Sequence, residues 1–160
     1  GIMLDTKNFI MKTGVRTFEA SAYLRRRGAD TVAVKKLFSS TLDNYKQKAQ
    51  LVSSAEIYQG CAIACSTWEY ADLRVAAAQA ADELLTILGV KASFVLYKIG
   101  ADVNISARSL GDVNVQLILE EFGGGGHLTM AGAQIKNISM QDARRALLHA
   151  LDQKLAEVSG

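Results

Sequence analysis

Four glycines in a row, Gly123-Gly124-Gly125-Gly126, followed directly by His127, constrain this chain more than any other stretch of it. Ordering such a run loses much backbone entropy, so a fold that keeps it needs bare backbone there, with free φ and exposed N–H groups. Successive amides in a glycine loop form a nest of phosphate size, and an imidazole just after it donates or accepts a hydrogen bond near neutral pH. The plainer alternatives are a flexible surface linker or an over-long helix C-cap. The sequel argues against a linker. Ala131-Gly132-Ala133-Gln134-Ile135 reads as a short strand, which places the loop inside a domain.

A chain of 160 residues suits one ordinary domain, or a small domain with an extra piece at one end. Its hydrophobic fraction of 49% is enough for a core, and a net charge of +2 makes no case for a sequence-blind nucleic-acid surface or a polybasic membrane patch. Any nucleotide or RNA must then be held by a local pocket. Cys61 and Cys65 lie on a run that reads as strand, about 13 Å apart at the usual rise per residue, which is too far to bridge. Reduced, buried thiols of a cytosolic domain are expected, and the further ligands that a zinc site needs are not nearby. No apolar run approaches the roughly 18 residues of a membrane span and no signal-peptide pattern opens the chain, so this piece is expected to be soluble. Proline is absent, so turns must rely on Gly, Asn, Asp and Ser. The chain opens abruptly on Gly1-Ile2-Met3-Leu4-Asp5, which reads as a buried strand of something longer.

Asp5 ends that strand, where open α/β sheets place ligand and metal sites; capping a turn is its plainer role. Val15, Phe18, Ala22 and Tyr23 have the spacing of an amphipathic helix over 15–27, capped by Thr13 and ended by Gly28, with Arg25-Arg26-Arg27 as its solvated end. Asp30 caps a short helix through Phe38, and Thr41 another to about Val52, with Ser39-Ser40 between them as the domain junction. The expected organisation is therefore 1–40, a connecting helix over 41–54, and a domain over 55–160. In that domain Glu56 to Thr67 reads as one strand and Asp72 to Leu88 as an alanine-rich helix lying close on a sheet. Trp68 and Tyr70 precede the helix, as base-stacking rings or as packing at the core edge.

Residues 92–99 and 102–109 read as a hairpin about Gly100-Ala101, the type II′ signal. In its second strand Val103, Ile105 and Ala107 face one way, and Asn104, Ser106 and Arg108 the other. That polar row leads to Ser109. An arginine beside hydroxyls offers forked, charge-assisted bonds to phosphate; an exposed face with one solvated arginine is the alternative. Asp112 or Asn114 caps a helix to Phe122, and after the glycines come a strand over 132–137 and a last helix opened by Ser139 and Asp142. The order β-α-β-β-α-β-α predicts an α/β fold, a mixed β-sheet with flanking helices, in which one short helix joins Arg108 to the glycine run.

Ser106-Ala107-Arg108-Ser109, Asp112-Val113-Asn114-Val115, Phe122-Gly123-Gly124-Gly125-Gly126-His127 and Ala131-Gly132 together resemble the DHH-associated C-terminal domain of DHH-family phosphoesterases. Gly1-Ile2-Met3-Leu4-Asp5-Thr6 resembles the last metal-binding motif of the preceding DHH domain, which would make 1–40 a short helical remnant of that domain. Lys7-Asn8-Phe9, Thr13-Gly14-Val15-Arg16-Thr17-Phe18-Glu19-Ala20 and Leu24-Arg25-Arg26-Arg27-Gly28-Ala29-Asp30 are most similar to the GdpP branch, membrane-bound cyclic di-AMP phosphodiesterases.

The resemblance implies a parent hydrolase in which two Mn²⁺ ions activate water and clamp the scissile phosphate. Carried over by motif, Asp5 is a metal ligand, and Ser106, Arg108, Ser109, Gly123, Gly124, Gly125, Gly126 and His127 hold the phosphate or nucleotide. Residues 55–160 are then the substrate-recognition half. The implied partners are a cyclic dinucleotide or short nucleotide and the rest of the DHH domain, with a homodimer also open. The implied setting is a cytoplasmic domain, itself without membrane contact, of a protein anchored in a bacterial cell membrane. The Asp-His-His signature is absent here, and one carboxylate cannot hold two hard cations. This chain is therefore expected to bind no catalytic metal tightly and to leave cyclic di-AMP uncleaved. The alternatives are an oligoribonuclease and pAp phosphatase of the NrnA type, from which the segment 13–20 distinguishes it, a non-catalytic RNA-binding or dimerising module like the one ending alanyl-tRNA synthetases, and a scaffold that binds nothing.

Overall fold

The computed structural model describes residues 1–6, 9, 13–37, 39–66, 68 and 73–158. They divide into two compact units, 1–40 and 41–160. The first unit is helical, with α1 (Ile2–Asp5), α2 (Val15–Arg26) and α3 (Thr31–Lys36). The apolar opening expected as a strand is thus one helical turn, in which the Asp5 and Thr6 amides donate to the carbonyls of Gly1 and Ile2. No strand among the described residues of this unit offers a ladder partner, so the backbone groups are satisfied locally. Gly14, rather than Thr13, caps α2, and Gly28 closes its far end at φ +90. Asp30 caps α3 by accepting from the amides of Val32 and Ala33. Phe38, Lys7, Asn8, Tyr70 and Asp72 lie outside the described residues.

The second unit runs α4 (Leu42–Ser53), β1 (Glu56–Tyr58), β2 (Cys61–Cys65), α5 (Arg74–Leu84), β3 (Ala92–Ile99), β4 (Asp102–Ser109), α6 (Val115–Glu120), β5 (Gly125–His127), β6 (Met130–Ile135) and α7 (Met140–Val158). It is an α/β fold with one mixed six-stranded sheet of order β1-β2-β3-β4-β6-β5. Strands β2 and β3 are parallel, and the other neighbours antiparallel. β2 and most of β3 are buried on both faces because helices cover both, whereas β4 alternates half-buried and buried residues.

Over one face, Ala76, Ala77, Ala80 and Ala81 of α5 lie fully buried, their small side chains letting the helix approach Ala62, Ala64, Val95 and Tyr97. Leu51 joins that core, so α4 belongs to the second unit. Over the other face, Ile118 and Leu119 of α6 and Leu147 and Leu151 of α7 pack on Ile63, Phe94, Leu96 and Ile105.

Further stretches, in the second unit, differ from the sequence expectation. The strand expected over 56–67 is a hairpin, turned at Gln59 and Gly60 with φ of +49 and +76, the pattern of a type I′ turn. The glycine run is loop only at Gly123 and Gly124: Gly125 and Gly126 are strand residues of β5, paired with β6 at the sheet edge. The remaining turns follow the sequence. Gly100 has φ +60, as a type II′ hairpin requires of its first central residue, Asn114 caps α6 by accepting from Gln116 and Leu117, and Ser139 accepts from the Asp142 amide at the start of α7. Among the described residues no helix is long and apolar enough to cross a membrane.

Candidate functional site

Antiparallel register carries the site. Across β3, β4, β6 and β5 the pairing aligns Ser93, Arg108, Met130 and His127 in one row, and Val95, Ser106, Gly132 and Gly125 in the next. Residues directly opposite one another, and alternate residues along each strand, share a face, so both rows lie on the α5 side of the sheet. Helix α5 covers only the first part of them. Ser93 is fully buried there, its hydroxyl donating to the Ala81 carbonyl (2.6 Å), and Val95 is buried beside it. At β4 the cover ends: Ser106 and Arg108 are half-buried, and beyond them Met130, Gly132, Gly125 and His127 are exposed. Arg108 and His127 stand two strands apart, roughly 10 Å, with Met130 between them. The result is a shallow face with Arg108 on one side, His127 on the other, and bare backbone at Gly125 and Gly132 as the adjoining floor.

The four glycines do different things. Gly123, at φ +71, ends α6: its amide donates to Glu120 and that of Gly124 to Leu119. Those two amides are thereby consumed, and they form no open anion nest. A Cβ on Gly124 would lie 2.6 Å from the Ala133 Cβ, and one on Gly126 2.6 Å from the Ala131 Cα, so both positions are bare because β6 lies against them. Gly125 has no heavy atom within 4 Å of such a Cβ, and at Gly132 the nearest is at an ordinary 3.5 Å. These two are open toward solvent, and whatever needs them bare is not the fold.

Arg108 is held from two sides. Its Nε donates to Asp82 Oδ1 on α5 (3.1 Å) and its Nη1 to the Ala107 carbonyl (2.9 Å), and its side chain is 12% exposed. Ser109 does not join the row. It is buried on the opposite face, where its hydroxyl accepts from the Gly111 amide and reaches the Lys91 carbonyl, fixing the turn after β4. Trp68 stands in the segment before α5, its carbonyl accepting from the Ser66 hydroxyl. Asp5 is exposed at the end of α1, in the first unit. Among the described residues no three His, Cys, Asp or Glu side chains come together as a metal site. A lone carboxylate does not fit a dinuclear Mn²⁺ centre.

Sequence reasoning missed Met130, Gly132 and Asp82. The sequence pattern starts that strand at Ala131 or Gly132 and leaves Met130 outside it, whereas β6 starts at Met130. Which residues of β6 stand beside Arg108 is decided by a pairing between distant segments that no local pattern encodes. A cavity of about 420 Å³, lined by Gln59, Lys91, Asp112, Val113, Asp152, Leu155 and Ala156, contains none of the expected site residues.

Chemically, the open face offers a guanidinium, a hydroxyl, an imidazole and bare peptide planes, a set suited to holding an anionic group on a flat body. Residues 62–157 match the DHHA1 domain. The chain is 50% identical over 153 residues to the cyclic-di-AMP phosphodiesterase GdpP of Geobacillus thermodenitrificans, covering 94% of this chain and 23% of that protein. It is 46% identical over 154 residues to the cyclic-di-AMP phosphodiesterase PdeA of Listeria monocytogenes, at 95% and 23% coverage. The chain thus spans about a quarter of the length of these relatives. Among solved structures, an exopolyphosphatase-related protein from Bacteroides fragilis superposes with a TM-score of 0.88 at 21% identity, over all of this chain and 50% of that one. That likeness concerns the fold.

Proposed function

Since this chain belongs to the DHHA1 domain family, we propose that its open sheet face is the substrate-recognition half of a phosphodiesterase that hydrolyses cyclic di-AMP to pApA. The observation that carries the reading is the register that brings half-buried Ser106 and Arg108, at the edge of the cover given by α5, beside exposed Gly125, His127 and Gly132 on the same face. Gly125 and Gly132 are bare without any steric demand from the fold, which is what a site that accepts a ligand against its backbone requires. Arg108 and His127 flank that floor with donors for phosphate. Gly123, Gly124, Gly126 and Ser109 support the face and do not touch ligand. Asp5 alone does not make a metal centre, so in this reading the residues here bind and orient the dinucleotide, and the chain by itself does not cut it. The parent is read as a Mn²⁺-dependent, membrane-anchored enzyme, with this domain on the cytoplasmic side.

Calorimetric titration of the chain with cyclic di-AMP, pApA and a short RNA tests the assignment. Weak but saturable binding of the adenine dinucleotides is expected, reduced roughly ten- to a hundredfold by His127→Ala or Arg108→Ala, the usual worth of a hydrogen bond to a charged group. Equal affinity for all three polyanions, unmoved by either substitution, would sink it, and preference for the RNA would favour an oligoribonuclease.

A further inference from the structure

Resting on that reading of the face, we propose that Asp82 is a positioning residue for Arg108, holding the guanidinium by its Nε so that the free hydrogens of its terminal nitrogens are presented to the ligand phosphate. The geometry is that of a built clamp. Two of the five guanidinium donors are engaged among the described residues, Nε with Asp82 Oδ1 at 3.1 Å and one on Nη1 with the carbonyl of Ala107 at 2.9 Å. Among the described residues both hydrogens on Nη2, and one on Nη1, have no protein acceptor.

The carboxylate is itself fixed by the fold. Ala81, the residue before it, accepts from the buried Ser93 hydroxyl at 2.6 Å, and Ser93 is the register partner of Arg108. Two consecutive residues of α5 are therefore tied to two paired residues of the sheet. The fully buried Ala77, Ala80 and Ala81 keep that end of the helix against the strands. A long, flexible side chain is thereby held at two points, and less rotamer entropy remains to be lost when a phosphate arrives. A purely structural ion pair between α5 and β4 predicts differently: it needs no particular guanidinium edge and no effect on ligand.

The test compares the chain with its Asp82→Asn, Asp82→Glu and Arg108→Ala forms, by calorimetry with cyclic di-AMP and by NMR of the arginine Nε–H signals. The Arg108 signal is identified as the one that Arg108→Ala removes. In the unaltered chain that signal should be protected from exchange with water. Asp82→Asn should lose the protection and weaken binding roughly fivefold or more, as expected when a charge-assisted bond is replaced by a neutral one. Asp82→Glu should restore much of both, and the melting temperature should follow neither. Unchanged affinity in Asp82→Asn while Arg108→Ala loses binding overturns the positioning role and leaves the reading of the face intact. Tighter binding in Asp82→Asn overturns it too, because Asp82 would then be competing with the phosphate. So does weaker binding that tracks lowered melting and is not restored by glutamate. If Arg108→Ala binds cyclic di-AMP like the unaltered chain, the ligand reading of the face falls, and the role of Asp82 with it.

Discussion

Gly124 and Gly125 are neighbours, yet a methyl group added to each meets different surroundings. On Gly124 it would press on Ala133 and on the carbonyl of Gly132, both fixed in β6. On Gly125 it would meet open space. Gly124→Ala is therefore expected to destabilise the domain by about 3 kcal/mol, at the upper end of overpacking because the obstruction includes backbone. Gly125→Ala should change stability by less than about 1 kcal/mol. Urea denaturation of the two variants checks this, and the same samples separate support from recognition: Gly125→Ala should fold normally and bind cyclic di-AMP poorly. A Gly125→Ala variant with full affinity would remove the bare floor from the proposed site. Sequence alone marks all four glycines and His127 as special, which is as far as composition reaches. It ranks the four equally, because what divides them is whether an added Cβ would point into β6 or away from it, set by a pairing on the far side of a turn.

Among the elements, β2 carries a titration that should be visible in stability. Cys61 is fully buried between its neighbours in the sheet, and burial pushes its thiol up from 9.0 to about 11, with Lys91 opposing the shift weakly. Burial raises Cys65 as well. A raised thiol favours the protonated, folded form, so its contribution is complete below about pH 9 and is lost as pH climbs toward 11, on the order of 2–3 kcal/mol from Cys61. Unfolding free energies measured between pH 8 and 11 should fall accordingly, and Cys61→Ala should flatten the slope even if it lowers the starting value. An unaltered slope would mean that the thiol already meets solvent. Much at this scale was legible beforehand. Alternation in β4, the Gly100 turn and the Asn114 and Ser139 caps are local chemistry, and they sit where their patterns place them. The β1–β2 hairpin was not, because Gln59 holds a left-handed conformation that Asn or Gly usually signals. Nor was α1, whose apolar run suits a strand, although among the described residues of its unit there is no strand to pair with it.

For the molecule as a whole, the decisive fact is where burial lies. Every residue of the two hydrophobic clusters falls between Leu51 and Leu155, and so does every residue of the open face. Helix α2 has no buried residue, and Val15 and Phe18 are 75% and 56% exposed. Hydrophobic burial is the main favourable contribution to folding, so among the described residues the source of stability lies in the second unit. A chain of residues 41–160 alone should then show a cooperative urea transition whose midpoint and slope match those of the whole, to within about 1 kcal/mol in extrapolated free energy. It should also keep the affinity of the whole chain for cyclic di-AMP. A midpoint lowered well beyond that margin would mean that 1–40 contributes to the core. Retained stability with lost affinity would mean that recognition needs groups from 1–40 as well, and the open face described for the second unit would be only part of the site.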